Sequence, residues 1–209
     1  MISRLRPKVR FLQNFLAAPF IALKISPNVI SIFGLIFAII GAYFVYSQQW
    51  LFALVFFILA PSVDLVDGTV ARALKKASPW GNYFETMLDR FVEFVLLGSF
   101  VFIFPLGSIL ALGFSMLVSY AKPRVGLIII TDNRDWPGIG DHADKLVLMM
   151  IGLVCASLGF VFVIEYVLYI IAFISLIGAL QRMNYAHKLI LEAEKKGTLL
   201  PYIKKKKER

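Results

Sequence analysis

Apolar residues in this chain fall into long unbroken stretches separated by short polar breaks. Runs of about 18 or more such residues match the length a helix needs to cross a bilayer. Six spans are predicted: Val29–Ser47, Trp50–Val66, Asn82–Phe104, Ser108–Ala121, Leu146–Tyr166 and Val167–Gln181. The fourth is short, and Val125–Ile130 is expected to lengthen it beyond Pro123. The fifth and sixth are divided near Glu165. Ahead of the first span, residues 1–25 carry early basic residues and bulky apolar ones at Leu12, Phe15, Leu16, Phe20 and Leu23. That pattern predicts an amphipathic helix lying in the membrane interface, with an extra buried helix as the alternative. Ser26-Pro27-Asn28 then breaks the chain. No cleaved signal peptide is expected, because the first apolar region lacks a small-residue cleavage site and further spans follow it. The predicted fold is an all-α integral membrane domain of six transmembrane helices behind an interfacial amphipathic helix. Its parts are a 1–25 interfacial segment, a 26–190 six-helix core and a 191–209 basic tail.

Composition agrees: 59% of the 209 residues are hydrophobic, above the half typical of soluble domains. Charge adds an orientation. The loops Gln48–Gln49 and Pro105–Gly107 and the Glu165 region carry no Lys or Arg. The basic residues gather at the N-terminus, around the second-to-third and fourth-to-fifth connections, and after the sixth span. The positive-inside rule puts these, and both termini, on the cytoplasmic side of a cell membrane. A net charge of +9 on one face suits anionic headgroups or phosphorylated substrates better than nucleic acid. Cys155, the single cysteine, excludes an internal disulfide and a cysteine zinc cluster, and is read as packing.

Against this apolar background, carboxylates stand out. Asp64 and Asp67 are three apart and share a helix face. Gly81, Glu85, Asp89 and Glu93 recur every four residues and form one stripe. The connection Gly68–Trp80 is short, so the second and third spans are antiparallel neighbours whose acidic ends can meet at one depth. Four carboxylates at one point repel unless cations sit among them. Those cations are either Lys and Arg, with Arg72 and Arg90 close by, or a divalent metal on all-oxygen ligands. Spacing alone leaves three readings: metal chemistry, a structural Arg–Asp network, or an ion path through the bilayer. Gly68 and Gly81, read as lying at helix ends beside the acids, would let backbone approach a bulky ligand, or else serve as cap and packing residues.

The run Asp64-Leu-Val-Asp67-Gly68-Thr-Val-Ala71-Arg72, followed after eight residues by Gly81-x-x-x-Glu85-x-x-x-Asp89, resembles the signature of the CDP-alcohol phosphatidyltransferase family. Eight positions are specified across 26 residues. One departs, since the family has Asp where this chain has Glu85. The resemblance implies an enzyme in which an alcohol attacks the lipid-bearing phosphorus of a CDP-linked donor and CMP leaves. It implies two divalent ions, Mg²⁺ or Mn²⁺, on Asp64, Asp67, Glu85 and Asp89, with Asp89 also the base. It places Gly68, Arg72 and Ser78, together with Asn28, Val29, Ile30 and Ser31, against the CDP donor, which would be CDP-diacylglycerol or a CDP-archaeol type lipid. It also implies a homodimer.

The continuation Leu-Asp89-Arg90-Phe-Val-Glu93, the stretch Ser119-Tyr120-Ala-Lys122-Pro-Arg124 and the pair Gln181-Arg182 resemble the inositol-phosphate branch of that family. Lys122, Arg124 and Arg182, with His142 and Lys145, are thereby implied to bind the phosphate of the acceptor, an inositol phosphate. Simple anchoring of helix ends is the competing reading of these cations. Two stretches depart from the branch: Val125-Gly126, where it has Ala-Glu, and Gly140–Lys145, which keeps its acid–base alternation only loosely. The alternatives within the chemistry are a glycerol 3-phosphate acceptor or a CDP-inositol donor. The alternative of another class is a cation transporter or channel, which would need the carboxylates but not Gly68-x-x-Ala71-Arg72.

Overall fold

The computed structural model describes residues 6–130, 136 and 138–201. The basic run Lys204–Arg209 and the side chain of Leu12 lie outside what is described. The described residues form helices and connecting turns: α1 (Arg6–Ala22), α2 (Pro27–Tyr46), α3 (Trp50–Ser62), α4 (Asp64–Ala73), α5 (Pro79–Gly98), α6 (Pro105–Gly126), α7 (His142–Ser157) and α8 (Val163–Lys196). Four stretches are long and apolar enough to cross a membrane: Pro27–Tyr46, Trp50–Ala73, Pro105–Gly126 and Val163–Lys196. α5 has the length, but Glu85, Asp89, Arg90 and Glu93 interrupt its apolar character. α7, at 16 residues, is about one turn shorter than the roughly 20 of a typical span. The chain divides into two compact units, Met1–Ile103 and Phe104–Arg209.

In the first unit, α2 is the central post. It buries Gly34, Ala38, Gly41 and Val45 along one stripe, a spacing of three and four residues that marks one helix face. Small residues there let α3 come close: a Cβ on Gly34 would stand 3.1 Å from the Ala60 carbonyl oxygen, and one on Gly41 3.1 Å from the Phe56 Cβ. Close backbone approach through small residues is how helices associate where lipid supplies no hydrophobic drive. The long stretch from Trp50 loosens around Val63, where Pro61 has removed one N–H from the ladder, while Val63 keeps helical φ -62 and ψ -38. α4 continues from Asp64, its Asp67 N–H bonded back to the Val63 carbonyl at 3.1 Å. α1 packs on α4 through a small core of Ala17, Ile30, Val66 and Val70, with Phe20, Ile21 and Ile25 against it. Phe15 and Leu16 on α1, and Leu23 just after it, remain exposed.

This geometry revises the connection expected at Gly68–Trp80. Residues 68–73 are the body of α4 and the connection is Leu74–Ser78. Gly68 is thus a helical residue and not a helix end. α5 starts where Ser78 accepts the Gly81 N–H at 3.0 Å and Pro79 occupies the first turn, a standard N-terminal pairing.

In the second unit, α6 and α8 form the main contact. Gly107, Ser108, Ala111, Ser115 and Val118 are buried on α6, and Leu168, Ile171, Ala172, Ser175 and Gly178 on α8. Ser115 and Ser175 share a buried hydrogen bond of 3.3 Å. α6 continues through Pro123 but ends at Gly126, short of the Ile130 expected, and Ile129 pairs with Leu199 instead. The α7–α8 division falls at Leu158–Phe162 and not near Glu165. Gly159 there takes φ +97, a conformation open to glycine, and Glu165 lies in the first turn of α8. The expected tail is also shorter. α8 runs to Lys196, ends on a left-handed Gly197, and lets the Leu200 N–H bond the Ile128 carbonyl. Leu199 joins Ile129, Trp136 and Ala193 in a small apolar cluster, whose burial outweighs solvation of that segment.

Candidate active site

α2, α4 and α5 meet around one cleft, lined by Asn28, Ser31, Asp67, Gly68, Arg72, Lys76, Ser78, Gly81, Asn82 and Glu85. Carboxylate oxygens of Asp64, Asp67 and Glu85 lie within 4.8 Å of one another. Helical spacing brings the first two together on α4, and the α2–α5 packing brings the third. Asp67 is 3% exposed, and both of its oxygens are occupied. One accepts the Ser31 hydroxyl at 2.5 Å, the other the Gly68 N–H at 2.5 Å. A buried carboxylate fixed from two sides has its remaining lone pairs aimed rather than free to turn. Asp89 stands one helical turn beyond Glu85, outside the three-residue group, and its charge is felt at both Asp67 and Glu85.

Such a cluster has the chemistry of a hard-cation site. It offers oxygen donors only, negatively charged and convergent, which select Mg²⁺, Mn²⁺ or Ca²⁺ over metals that prefer nitrogen or sulfur. Among the described residues, this is the group that meets the geometric requirement of three converging ligands.

Arg72 folds back along α4, its Nη2 donating to Thr69 at 3.3 Å. Its Nη1 is 3.5 Å from where a Gly68 Cβ would be, an ordinary contact with a flexible group. Packing therefore leaves room for a side chain at 68, and the glycine keeps the cleft floor open. Gly81 sits beside Ser78 and Asn28. Ser78 both lines the cleft and caps α5.

Of the residues expected to touch the donor, Asn28, Ser31, Gly68, Arg72 and Ser78 line this cleft. Val29 instead points outward, and Ile30 is buried in the α1–α4 core. Lys76 and Asn82 were missed. Lys76 lies in a basic run that reads as helix-end anchoring, and Asn82 lacks any pattern. The cations expected at the acceptor all lie in the second unit. Arg124 is exposed, Lys122 and His142 are half-buried, and Lys145 is buried in the first turn of α7. Arg182 donates to the Val118 carbonyl at 3.0 Å and to Asp141 at 2.5 Å. Val118 lies one turn before Lys122 on α6, so Arg182 and Lys122 approach the same end of that helix.

A model of the CDP-alcohol phosphatidyltransferase family matches residues 24–134, just over half of the chain. The chain belongs to the CDP-alcohol phosphatidyltransferase family, and the protein is a transferase of phospholipid biosynthesis. Within that family it is 27% identical over 200 residues to archaetidylinositol phosphate synthase of Pyrococcus horikoshii, across 90% of this chain and 97% of the relative. It is also 27% identical over 197 residues to phosphatidylinositol phosphate synthase of Streptomyces avermitilis, across 85% of this chain and 79% of the relative. The fold is shared with a crystal structure of Mycobacterium tuberculosis phosphatidylinositol phosphate synthase in complex with manganese and citrate. The TM-score is 0.73 at 17% identity, covering 83% of this chain and 88% of that one. The same enzyme with CDP-DAG bound gives a TM-score of 0.73 at 18% identity, over 83% and 92% of the two chains.

Proposed function

We propose that the protein transfers a phosphatidyl group, or its ether-lipid equivalent, from a CDP-lipid to a hydroxyl of inositol phosphate, releasing CMP. The observation that carries this reading is the single cleft in which Asp64, Asp67 and Glu85 converge beside Gly68, Arg72 and Ser78. An ion path would need the acids but has no use for an open glycine floor and an arginine laid along it. The relatives named as archaetidylinositol and phosphatidylinositol phosphate synthases support the acceptor.

Asp64, Asp67 and Glu85 hold divalent metal, Mg²⁺ or Mn²⁺, and Asp89 completes the ligand set for two ions. The manganese in the structural neighbour's complex supports that choice. Bound there, such ions supply Lewis acidity that offsets charge on the pyrophosphate and the departing CMP. The chain's own residues do the remainder. Ser31 and the Gly68 N–H orient Asp67. Gly68, Arg72, Ser78 and Asn28 seat the nucleotide, Arg72 by a charge-assisted contact to phosphate. Asp89 takes the proton of the acceptor hydroxyl as its oxygen bonds to the lipid-bearing phosphorus and the bond from that phosphorus to CMP breaks. Lys122, Arg124, His142, Lys145 and Arg182 recognise the acceptor's phosphate.

The same reading extends to topology. α5 and α7 join the four apolar stretches to make six spans, α1 lies in the interface, and the whole chain acts as one domain in a cell membrane. The basic helix ends mark the cytoplasmic face, where the site and both termini lie, and the enzyme works as a homodimer.

CMP release tests the function. Purified protein in vesicles is given Mg²⁺ and CDP-diacylglycerol or CDP-archaeol, with inositol phosphate, free inositol or glycerol 3-phosphate as acceptor. Inositol phosphate is expected to give the highest kcat/KM. Equal or better turnover with glycerol 3-phosphate would replace the acceptor, and no CMP with any acceptor would remove the reaction.

A further inference from the structure

Residues 138–141 are seated on α8 by contacts of backbone on backbone. The Ile139 carbonyl oxygen lies where a Gly178 Cβ would be, 2.0 Å away, so only glycine fits at 178. Gly140, at φ +78, sits so close that a Cβ would meet the Ile174 carbonyl oxygen at 3.1 Å. The Ile139 N–H donates to Gln181 at 3.1 Å. Asp141 follows. Its own N–H is held by the Asp144 carboxylate at 3.2 Å, and its carboxylate accepts from Arg182 Nη2 at 2.5 Å. On its other arm, Arg182 Nη1 donates to the Val118 carbonyl at 3.0 Å. Its Nε is buried without a hydrogen-bond partner.

We infer that Asp141 is a positioning residue for Arg182, fixing that guanidinium in advance for the acceptor's phosphate. This rests on the reading of Arg182 as a phosphate ligand. An arginine side chain is long, and binding with it ordinarily costs rotamer freedom. Here two contacts on different nitrogens set the plane of the guanidinium before the acceptor arrives. Each Nη still keeps a second N–H. The alternative is that Asp141 stands in for the phosphate and must be displaced by it. The seating argues for a fixed partner. Turning the carboxylate away would give up the Asp144 N–H that it accepts in the α7 capping box, and moving the backbone that carries it would break the Ile139–Gln181 bond and unpack Gly140 and Gly178. Asp141 is 57% exposed against 14% for Arg182. Its charge is therefore screened by solvent and weakens Arg182's pull on a dianion only modestly.

The test separates acceptor from donor. Asp141→Asn keeps a good helix N-cap and removes the charge. It is expected to raise the acceptor KM roughly tenfold, as when a charge-assisted contact loses part of its geometry, and to leave the donor KM in place. Asp141→Glu, which restores the charge, is expected to recover part of the loss. Asp141→Asn combined with Arg182→Gln is expected to be no worse than Arg182→Gln alone, because Asp141 acts through Arg182. If Arg182→Gln raises the acceptor KM while Asp141→Asn leaves it unchanged or lowers it, the positioning role is wrong and the phosphate pocket stands. An unchanged acceptor KM in Arg182→Gln itself removes the pocket, and the inference with it. Equal changes in both KM values would mark Asp141 as a purely structural cap. Should the Asn variant not accumulate folded, Asp141→Ser, another good N-cap, carries the same comparison.

Discussion

Ser31 on α2 donates its hydroxyl hydrogen to the carboxylate of Asp67 on α4, joining residues 36 apart in sequence at the edge of the metal-type cluster. The bond is buried, and it fixes one of the two oxygens through which Asp67 can bind a cation. Residues that orient a ligand without touching metal typically change affinity ten- to a hundredfold when removed.

Ser31→Ala is therefore expected to raise the Mg²⁺ or Mn²⁺ concentration needed for half-maximal CMP release by roughly tenfold. Turnover should return toward the parent level at saturating metal. Titrating metal against CMP release reads this directly. An unshifted midpoint would mean that Ser31 packs beside Asp67 without tuning it. Chelation by EDTA should abolish turnover in both proteins, and added Mg²⁺ or Mn²⁺ should restore it.

Asp89 separates two roles, because it stands one turn outside the group formed by Asp64, Asp67 and Glu85. Asp89→Asn keeps the shape and cannot accept the proton. General-base removal costs on the order of 10²–10⁴ in rate, so CMP release should fall by at least about a hundredfold. CDP-lipid binding, followed by isothermal titration, should largely survive. Near-parent turnover in this variant would take Asp89 out of the base role.

The helices were legible where hydrophobic length met clear punctuation. α2 begins at Pro27 and ends at Tyr46, within two residues of the stretch read from its apolar run, because Pro27 and Ser47 bracket it. The α7–α8 turn was misplaced because it sits within apolar residues, where Glu165 was the conspicuous polar mark and Gly159 the operative one. Helical spacing could pair Asp64 with Asp67 and Glu85 with Asp89, but the meeting of Glu85 with the first pair depends on packing between helices, and Asp89 stands outside that group of three. The Asp141–Arg182 pair joins residues 41 apart, one just ahead of α7 and one on α8, and no local periodicity reports such a pairing. Lys76 was hidden differently, since a cation at a helix end has an adequate topological reason to be there.

Glu85 is one methylene longer than the aspartate of the family signature, and one of its carboxylate oxygens lies within 4.8 Å of one of Asp64. Glu85→Asp keeps the charge and shortens the reach. It is expected to fold normally and to retain activity within about threefold of the parent, since the metal can close a gap of one bond when other ligands adjust. CMP release across a Mg²⁺ and Mn²⁺ series checks this. Loss of turnover at saturating metal, in protein that remains folded, would show that the surrounding residues are fitted to Glu.

Gly68 and Gly178 make opposite predictions from the same substitution. Both are helical, and alanine in a helix is favoured over glycine by roughly 1 kcal/mol. At Gly178 the new Cβ would stand 2.0 Å from the Ile139 carbonyl oxygen, a backbone atom with little freedom to retreat. Gly178→Ala should therefore lower the thermal midpoint and raise the acceptor KM, because the residues that carry Asp141 lose their seat. At Gly68 the nearest atom is Arg72 Nη1 at 3.5 Å, a flexible end with room to move. Gly68→Ala should thus match or slightly exceed the parent in thermal midpoint. Its Cβ would project into the cleft beside Asp67 and Arg72, so the cost should appear when the donor binds. The donor KM is expected to rise roughly tenfold or more, with the acceptor KM little changed; a buried methyl in a fitted site costs about 1–3 kcal/mol. Thermal unfolding combined with kinetics on each substrate separates the cases. A Gly68→Ala protein that is as stable as the parent and binds the donor equally well would show that nothing approaches this face of α4. The CDP-donor assignment of the cleft would then have to be given up.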